Sequence, residues 1–323
     1  MRKSKRNANW ILFTTTLALS VTLFGVGCPI TEDATTDGDS TPLTAIQVET
    51  LTGAANEYYD IYRKTTGASV DTYAPANEPV EVPPGVYVLT EYFNDDFVYD
   101  NEVIVEQDAT TTVTLGGIKL VTVTNASDGA FDIYNATGAT AYATYNDPDV
   151  IVTAPAGTFT LKEYFNNDFT YASNVQVTAG ALTTVTMGGI KLVTVAGAVE
   201  GEYAVYDETG TTVYVTRNDP DVVITAPAGT FTLKEYYNDD FTYASNVVVT
   251  AGATTTVTMV AIRYNGTLAY DIYTGGALVS TYNDAGAIVT APPGTYTLTE
   301  YYDDQHVLAT SVVVTAGNIT DVN

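Results

Sequence analysis

Four glutamates recur at positions where a strand would present only apolar side chains. In the segment TFTLKEYF, residues 158–165, an alternating pattern places Phe159, Leu161, Glu163 and Phe165 on one face. A carboxylate on such a face needs a hydrogen-bonding or ionic partner. The same position recurs three more times along the chain, as Glu91, Glu235 and Glu300.

Candidate partners for the four glutamates recur at a constant spacing. A strand-like run lies upstream of each glutamate and carries one long polar side chain. These four side chains are 72 residues apart: Gln47, Lys119, Lys191 and Arg263. We predict four core polar pairs that fix strand register, Gln47 with Glu91, Lys119 with Glu163, Lys191 with Glu235 and Arg263 with Glu300. Placement of these residues at a sheet edge or facing solvent is the alternative.

Acidic pairs follow several of the strand-like segments. Asp147 and Asp149 flank a proline in one repeat, and Asp219 and Asp221 do the same in the next. Carboxylate oxygens on loops are the ligands that Ca²⁺ prefers, although no strict calcium-loop spacing is present. Asn-Asp-Pro-Asp is also an ordinary turn sequence. A calcium site and simple turn chemistry are therefore both open interpretations.

Tyrosine is abundant, with 25 residues that alternate largely with threonine. We predict that many of these rings lie on outer strand faces. Exposed rings such as Tyr164 and Tyr236 are candidates for a glycan-binding platform, whereas cross-strand packing is the structural alternative.

Composition excludes several kinds of chemistry. One Cys and one His, His306, cannot supply a zinc cluster, a Cys/His nucleophile pair or a Ser-His-Asp triad. The formal net charge is −26, so the chain lacks the basic face that nucleic acid requires. His306 replaces a phenylalanine of the other repeats and is predicted to pack at the periphery. No catalytic residue and no cofactor are predicted.

The first 28 residues have the order of an export signal. Arg2, Lys3, Lys5 and Arg6 precede an apolar stretch, and Gly27 stands directly before Cys28, the only cysteine. This arrangement resembles the lipobox of bacterial lipoproteins, which implies acylation of the Cys28 thiol and, with Pro29 next to it, an outer-membrane or cell-surface location. A plain cleaved signal and an uncleaved membrane anchor are the alternatives. We assign residues 1–27 to a signal peptide and 28–44, which contain no aromatic residue, to a flexible tether.

The remainder of the sequence consists of four copies of one repeat unit. Residues 153–187 and 225–259 are identical at 31 of 35 positions, and related segments begin at Val82 and Ala291. We predict repeats at 45–116, 117–188, 189–260 and 261–323, the last of which is shortened. Within a repeat the hydrophobic period is two, and Gly, Pro, Asn and Asp divide about seven strand-like segments. The predicted fold is therefore all-β, with four tandem small antiparallel β-sandwich modules.

The phrase APAGTFTLKEY, followed by VQVTAGALTTVTM, resembles prealbumin-like sandwiches, including Cna-B-type and carboxypeptidase-regulatory-like modules of bacterial surface proteins. The Cna-B resemblance implies a bond between a first-strand lysine and an Asn or Asp, assisted by a buried glutamate. Lys119 and Lys191 with Glu163 and Glu235 match two of these three parts. The final strands of these two repeats, ALTTVTM and ATTTVTM, contain no Asn or Asp, so the pairs are predicted to be structural.

The function expected from these features is that of a non-catalytic, lipid-anchored envelope protein whose repeats form a surface stalk or spacer. Copied modules supply length or avidity, whereas an enzyme needs one asymmetric pocket. The alternative is an adhesin-type array that binds carbohydrate or protein through Tyr-rich faces and acidic loops. The predicted partners are the membrane, through the lipid, and a glycan or surface protein, with no nucleic acid.

Overall fold

The computed structural model describes residues 43–55, 58–92, 94–127, 129–165, 169–198, 201–236 and 241–323. These residues form 29 β-strands and no helix, which confirms the predicted all-β sandwich class. None of these residues belongs to a helix capable of crossing a bilayer. The signal peptide and nearly all of the tether lie outside the described residues.

The strands follow the period-two segments of each repeat, because Val, Thr, Tyr and Phe suit a half-buried pleated surface. Repeat 1 contains β1 (Ala45–Glu49), β2 (Ala54–Ala55), β3 (Tyr58–Arg63), β4 (Ser69–Pro75), β5 (Pro79–Glu81), β6 (Gly85–Glu91), β7 (Asn94–Val105) and β8 (Thr110–Thr114). Repeat 2 contains β9 (Gly116–Val121), β10 (Phe131–Asn135), β11 (Ala141–Asn146), β12 (Ile151–Ala154), β13 (Gly157–Glu163), β14 (Thr170–Val177) and β15 (Leu182–Thr186).

The last two repeats use the same order. Repeat 3 contains β16 (Gly188–Val193), β17 (Tyr203–Tyr206), β18 (Val213–Asn218), β19 (Val223–Ala226), β20 (Gly229–Glu235), β21 (Thr242–Val249) and β22 (Thr254–Thr258). Repeat 4 contains β23 (Val260–Tyr264), β24 (Tyr270–Thr274), β25 (Ala277–Asn283), β26 (Ile288–Ala291), β27 (Gly294–Glu300), β28 (Asp303–Val314) and β29 (Ile319–Val322).

Each repeat forms two sheets whose inner faces enclose an apolar core. In repeat 2 the four-stranded sheet has the order β11-β10-β13-β14, and the other sheet contains β15, β9 and β12. Ile118 and Leu120 of β9 and Leu161 of β13 are completely buried. The other repeats form the same two sheets, so equivalent positions face the core in every repeat.

One pairing departs from a purely antiparallel sandwich. The first and last strands of every repeat lie side by side in parallel, as β9 and β15 do in repeat 2. A hairpin turn forces neighbouring strands to be antiparallel, whereas these two strands are separated by most of the repeat. The long connection therefore allows the parallel arrangement.

Backbone pairing joins consecutive repeats. The short strand β2 of repeat 1 extends the sheet of repeat 2 by pairing in parallel with β12, with Ala54 opposite Ile151. Single bridges occupy the same place at the next two junctions, Ala126 with Val223 and Ala198 with Ile288. The Ser127 N–H also donates a hydrogen bond of 2.8 Å to the Val223 carbonyl. Each of the first three repeats thus adds a segment of its own loop to the edge of the next sheet.

Aromatic stacking reinforces the first two junctions. Phe97 of repeat 1 stacks on Tyr142 of repeat 2, with ring centroids 5.4 Å apart and an interplanar angle of 4°. Phe169 of repeat 2 stacks on Tyr214 of repeat 3 at 4.9 Å and 9°. The nearly identical geometries show that repeats 1–2 and 2–3 dock in the same way.

Repeat 4 lacks both docking elements of the earlier repeats. The loop between its first two strands, residues 265–269, is shorter than the corresponding loop 194–202 of repeat 3. The position of Phe97 and Phe169 is taken by His306, which is half exposed and lies 2.8 Å from Glu300 Oε2.

Candidate functional site

The predicted core polar pair of repeat 4 is wrong. The Arg263 guanidinium forms a bidentate contact with Asp321 of the neighbouring strand β29, at 2.6 and 3.0 Å. Glu300 instead contacts the Nδ1 of His306. This Arg263 contact lowers the pKa of the Asp321 carboxyl.

The predicted pairs of the first three repeats do not form either, because the two sets of residues lie in different sheets and point in different directions. In β9, Ile118 and Leu120 point into the core, so the intervening Lys119 lies on the outer face beside Thr184. Gln47 and Lys191 occupy the same outer position. The glutamates instead lie on the inner face of the four-stranded sheet, and Glu91, Glu163 and Glu235 are buried.

The buried glutamates lie among tyrosines. Glu91 is opposite Tyr59 in the sheet, and Glu235 is opposite Tyr203. Burial, and secondarily the nearby Glu91 charge, raise the pKa of the Tyr99 hydroxyl well above its ordinary value. Several tyrosines predicted to lie on outer faces are thus core residues: Tyr59, Tyr87, Tyr203 and Tyr270.

A β-bulge places an aromatic ring on the surface in three repeats. In repeat 2 the register between β10 and β11 shifts near Ile133, and Tyr145 adopts a positive φ of 59°. The buried Asp132 holds this conformation, because its Oδ1 accepts a 2.8 Å hydrogen bond from the Tyr145 N–H. Burial raises the pKa of the Asp132 carboxyl, while this hydrogen bond acts in the opposite direction.

The same device recurs in repeats 1 and 4. Asp60 accepts the N–H of Tyr73 at 2.9 Å, and Asp271 accepts that of Tyr282 at 3.0 Å. Both tyrosines have positive φ, and both rings are exposed. A non-glycine residue in this region is strained unless its surroundings hold it, so the buried aspartates fix where the rings stand.

Each bulge tyrosine belongs to a cluster of surface rings. Tyr145 lies edge-on to Tyr164 at 4.7 Å, and Tyr164 lies edge-on to Phe165 at 4.9 Å. Phe165 is 76% exposed, so the prediction that it faces the core is wrong. The alternation of faces stops at Glu163, because β13 ends there. In repeat 4, Tyr282, Tyr301 and Tyr302 form a matching cluster. In repeat 1, Tyr58, Tyr73 and Tyr92 are in contact.

Repeat 3 replaces the bulge tyrosine by Arg217. Arg217 keeps the positive φ, but the buried aspartate of the other repeats is Ala204 in this one. The Arg217 Nε lies 3.4 Å from Glu202 Oε2, so the positive charge of Arg217 forms an ion pair with Glu202. Tyr236, predicted as a ligand-binding residue, is half-buried beside this pair, and its N–H donates to the Glu202 carbonyl.

A cleft of about 340 Å³ lies between repeats 2 and 3. Phe165, Tyr171 and the buried Glu163 line it from repeat 2, and Arg217 and the buried Asn218 line it from repeat 3. The Asn218 amide is already engaged with the Tyr203 carbonyl. The cleft therefore connects the ring cluster of one repeat to the bulge residue of the next.

The predicted calcium ligands are turn residues. Asp147, Asp149, Asp219 and Asp221 are exposed, and the backbone N–H groups of Asp149 and Asp221 each donate to a strand carbonyl at 2.7 Å. Within the described part of the chain, no three His, Cys, Asp or Glu side chains converge on a common metal position. The positive φ of Asp149 and Asp221 fits an ordinary turn. Cys28, the predicted lipidation site, lies outside the described residues.

Searches against known proteins found no matching family model and no matching curated protein. Among solved structures, the Bacillus anthracis TIE protein has 16% identity and a TM-score of 0.17, covering 83% of this chain and 66% of its own. BcpA, the major pilin subunit of Bacillus cereus, has 9% identity and a TM-score of 0.16, over 64% and 97%. The pilus adhesin SpaC from Lactobacillus rhamnosus GG has 12% identity and a TM-score of 0.16, over 83% and 37%. With such TM-scores, these matches do not identify the function of this chain.

Four bulge residues are not among the predicted site residues: Tyr73, Tyr145, Arg217 and Tyr282. A signal was present in the sequence: these residues are spaced by 72, 72 and 65 residues, like the repeats themselves. Their positive φ could not be inferred, because a regular strand would place them by simple alternation.

Proposed function

We propose that this chain is a non-catalytic, lipid-anchored protein of the bacterial cell envelope whose four repeats act as a surface stalk or spacer. The observation that carries the proposal is the repeated docking of near-identical modules, by a backbone bridge and a stacked Phe–Tyr pair. Docked modules hold a fixed spacing that freely jointed modules would lose.

The anchoring half of the proposal rests on the Gly27-Cys28 sequence after a basic and apolar leader. In a bacterial host, the parent chain should incorporate labelled palmitate and the Cys28→Ser variant should no longer do so. A variant that is still labelled would contradict lipidation at Cys28. Buried acyl chains contribute about 0.8 kcal/mol per CH₂, which makes a multiply acylated thiol a durable anchor.

The stalk half is tested by removing one whole repeat, residues 189–260. Small-angle scattering of the chain from residue 28 onward should show a maximum dimension shorter by about 25–35 Å, the length expected of one module from its strands. A maximum dimension that does not change would contradict the stalk.

A second candidate function is a ligand-binding array of the adhesin type. The exposed ring clusters favour it, since large apolar rings on a monomer surface commonly mark an interaction site. This role is compatible with a stalk, because repeated sites along one chain increase avidity.

A further inference from the structure

The surface rings of three repeats occupy corresponding places in the fold. We call them the aromatic stripe, and it consists of Tyr73, Tyr92, Tyr145, Tyr164, Phe165, Tyr282, Tyr301 and Tyr302. The most exposed are Phe165 and Tyr302, at 76% and 77%. Buried aspartates anchor three of the rings through their backbone, so the rings are positioned before any ligand arrives.

The stripe extends from one repeat toward the next. Rings of Tyr145, Tyr164 and Phe165 are in sequential contact, and Phe165 lines the same cleft as Arg217 of repeat 3. Arg217 stands at the bulge position that Tyr145 and Tyr282 hold in their own repeats. The docked repeats 1 and 2 each carry a ring cluster at the same place in the fold, so these two clusters lie one repeat apart, while repeat 3 presents Arg217 at that place. Two ring clusters one repeat apart, with a further cluster in repeat 4, suit a polymeric ligand.

Charge restricts what that polymer can be. The net charge of −26 opposes an anionic polymer and also a second copy of this chain. The aspartates behind the rings are buried and already accept hydrogen bonds from the backbone of the bulge residues, and Arg217 is matched by Glu202. The stripe therefore offers ring faces and phenol hydroxyls to a ligand, and the charges beside it, such as the exposed Asp284 next to Tyr282, are carboxylates that repel an anionic ligand.

We propose that the aromatic stripe binds a neutral polysaccharide. The C–H faces of pyranose rings pack against aromatic rings, and phenol hydroxyls exchange hydrogen bonds with sugar hydroxyls. Several weak ring contacts along one glycan chain combine into useful avidity. This inference rests on the binding role proposed above and names its ligand class; it does not depend on the stalk.

The test is native affinity electrophoresis of residues 28–323 carrying Cys28→Ser. The gels contain one soluble polymer each: a β-1,3-glucan, xyloglucan, galactomannan or dextran as neutral probes, polygalacturonate as an anionic probe and polylysine as a cationic one. We expect at least one neutral polysaccharide to retard the protein and polygalacturonate not to do so.

The decisive variant combines Phe165→Ala with Tyr302→Ala. It removes the two most exposed rings, and neither residue belongs to a strand. It should weaken retardation by about tenfold, through two lost ring contacts. The matched control combines Val248→Ala with Val313→Ala. Both valines are exposed and lie at the end of the four-stranded sheets that is farther from the rings. This control should leave retardation unchanged. Circular dichroism and scattering check that both double variants keep the fold and the dimensions of the parent.

Three outcomes would overturn the proposal: no retardation by any neutral polysaccharide, with retardation by polylysine alone indicating a cationic partner; equal loss in the two double variants; or retardation by polygalacturonate as strong as that by the neutral polymers. None of these outcomes alters the result of the repeat deletion, so the stalk and the glycan site can fail separately.

Discussion

At the scale of single residues, short polar side chains hold the turns and bulges of the repeats. Asp207 follows β17, and its carboxylate accepts the N–H groups of Thr211 and Thr212 and the hydroxyl of Thr209. These contacts, foremost that of Thr211, lower the pKa of Asp207 to about 2. In repeat 2 the same position is Asn135, whose side-chain oxygen accepts the corresponding N–H groups.

The lowered pKa gives Asp207 a defined effect on acid stability. Its stabilising contribution is complete above the ordinary carboxyl pKa near 4 and is lost as the pH falls through about 2. We expect Asp207→Asn, which copies repeat 2, to reduce the fall in melting temperature between pH 4 and pH 2. Thermal unfolding followed by circular dichroism measures this, with Asp219→Asn on an exposed turn as the control. The prediction fails if both variants follow the parent.

At the scale of elements, the junction between two repeats combines a sheet extension with a ring stack. Phe169 is buried and contacts Tyr171 of its own repeat as well as Tyr214 of repeat 3, so it belongs to both the core and the junction. Tyr214 is only half-buried, which makes it the better place to test docking alone. An aromatic pair of this kind contributes about 0.5–1.5 kcal/mol beyond its buried area.

We expect Tyr214→Ala to loosen the junction without unfolding either repeat. The reporter is the Ser127 amide, which donates to Val223 across the junction and should exchange with solvent faster. The Asn135 amide, bonded to Thr140 inside repeat 2, should keep its exchange rate. Tyr214→Val copies Val279 of repeat 4 and should show a smaller effect. Equal rates at Ser127 in parent and variant would mean that the stack does not hold the junction.

At the scale of the whole molecule, docking should couple the stabilities of neighbouring repeats. Arrays of this kind behave as a sum of intrinsic repeat stabilities and nearest-neighbour interface terms. Leu161 in repeat 2 and Leu298 in repeat 4 are both completely buried at the same place in the fold. Truncating either to alanine should cost about 2–5 kcal/mol in its own repeat.

The position of the truncation should decide which other repeats respond. We expect Leu161→Ala to lower hydrogen-exchange protection in repeats 1 and 3 as well as in repeat 2, while repeat 4 changes least. Leu298→Ala should instead affect repeat 3 and spare repeat 1. Exchange followed by mass spectrometry separates the repeats, and protection that falls only in the mutated repeat would show that the modules fold independently.

The sequence by itself was sufficient to predict the all-β class, the strand segments and the fourfold repetition. A period of two and regular turn residues report local backbone geometry, which neighbouring residues determine. The same local signal explains the turn role of residues such as Asp149.

Only the tertiary structure decided which strand faces meet. Alternation places Lys119 and Glu163 each on a face of its strand, but it does not say which sheet the strand joins or whether that face is the inner one. The predicted pairs failed for this reason, and Phe165 became exposed because its strand ends two residues earlier. The bulge at Tyr145, its buried Asp132 and the Phe169–Tyr214 junction depend on contacts between residues distant in sequence, which no period along the chain encodes.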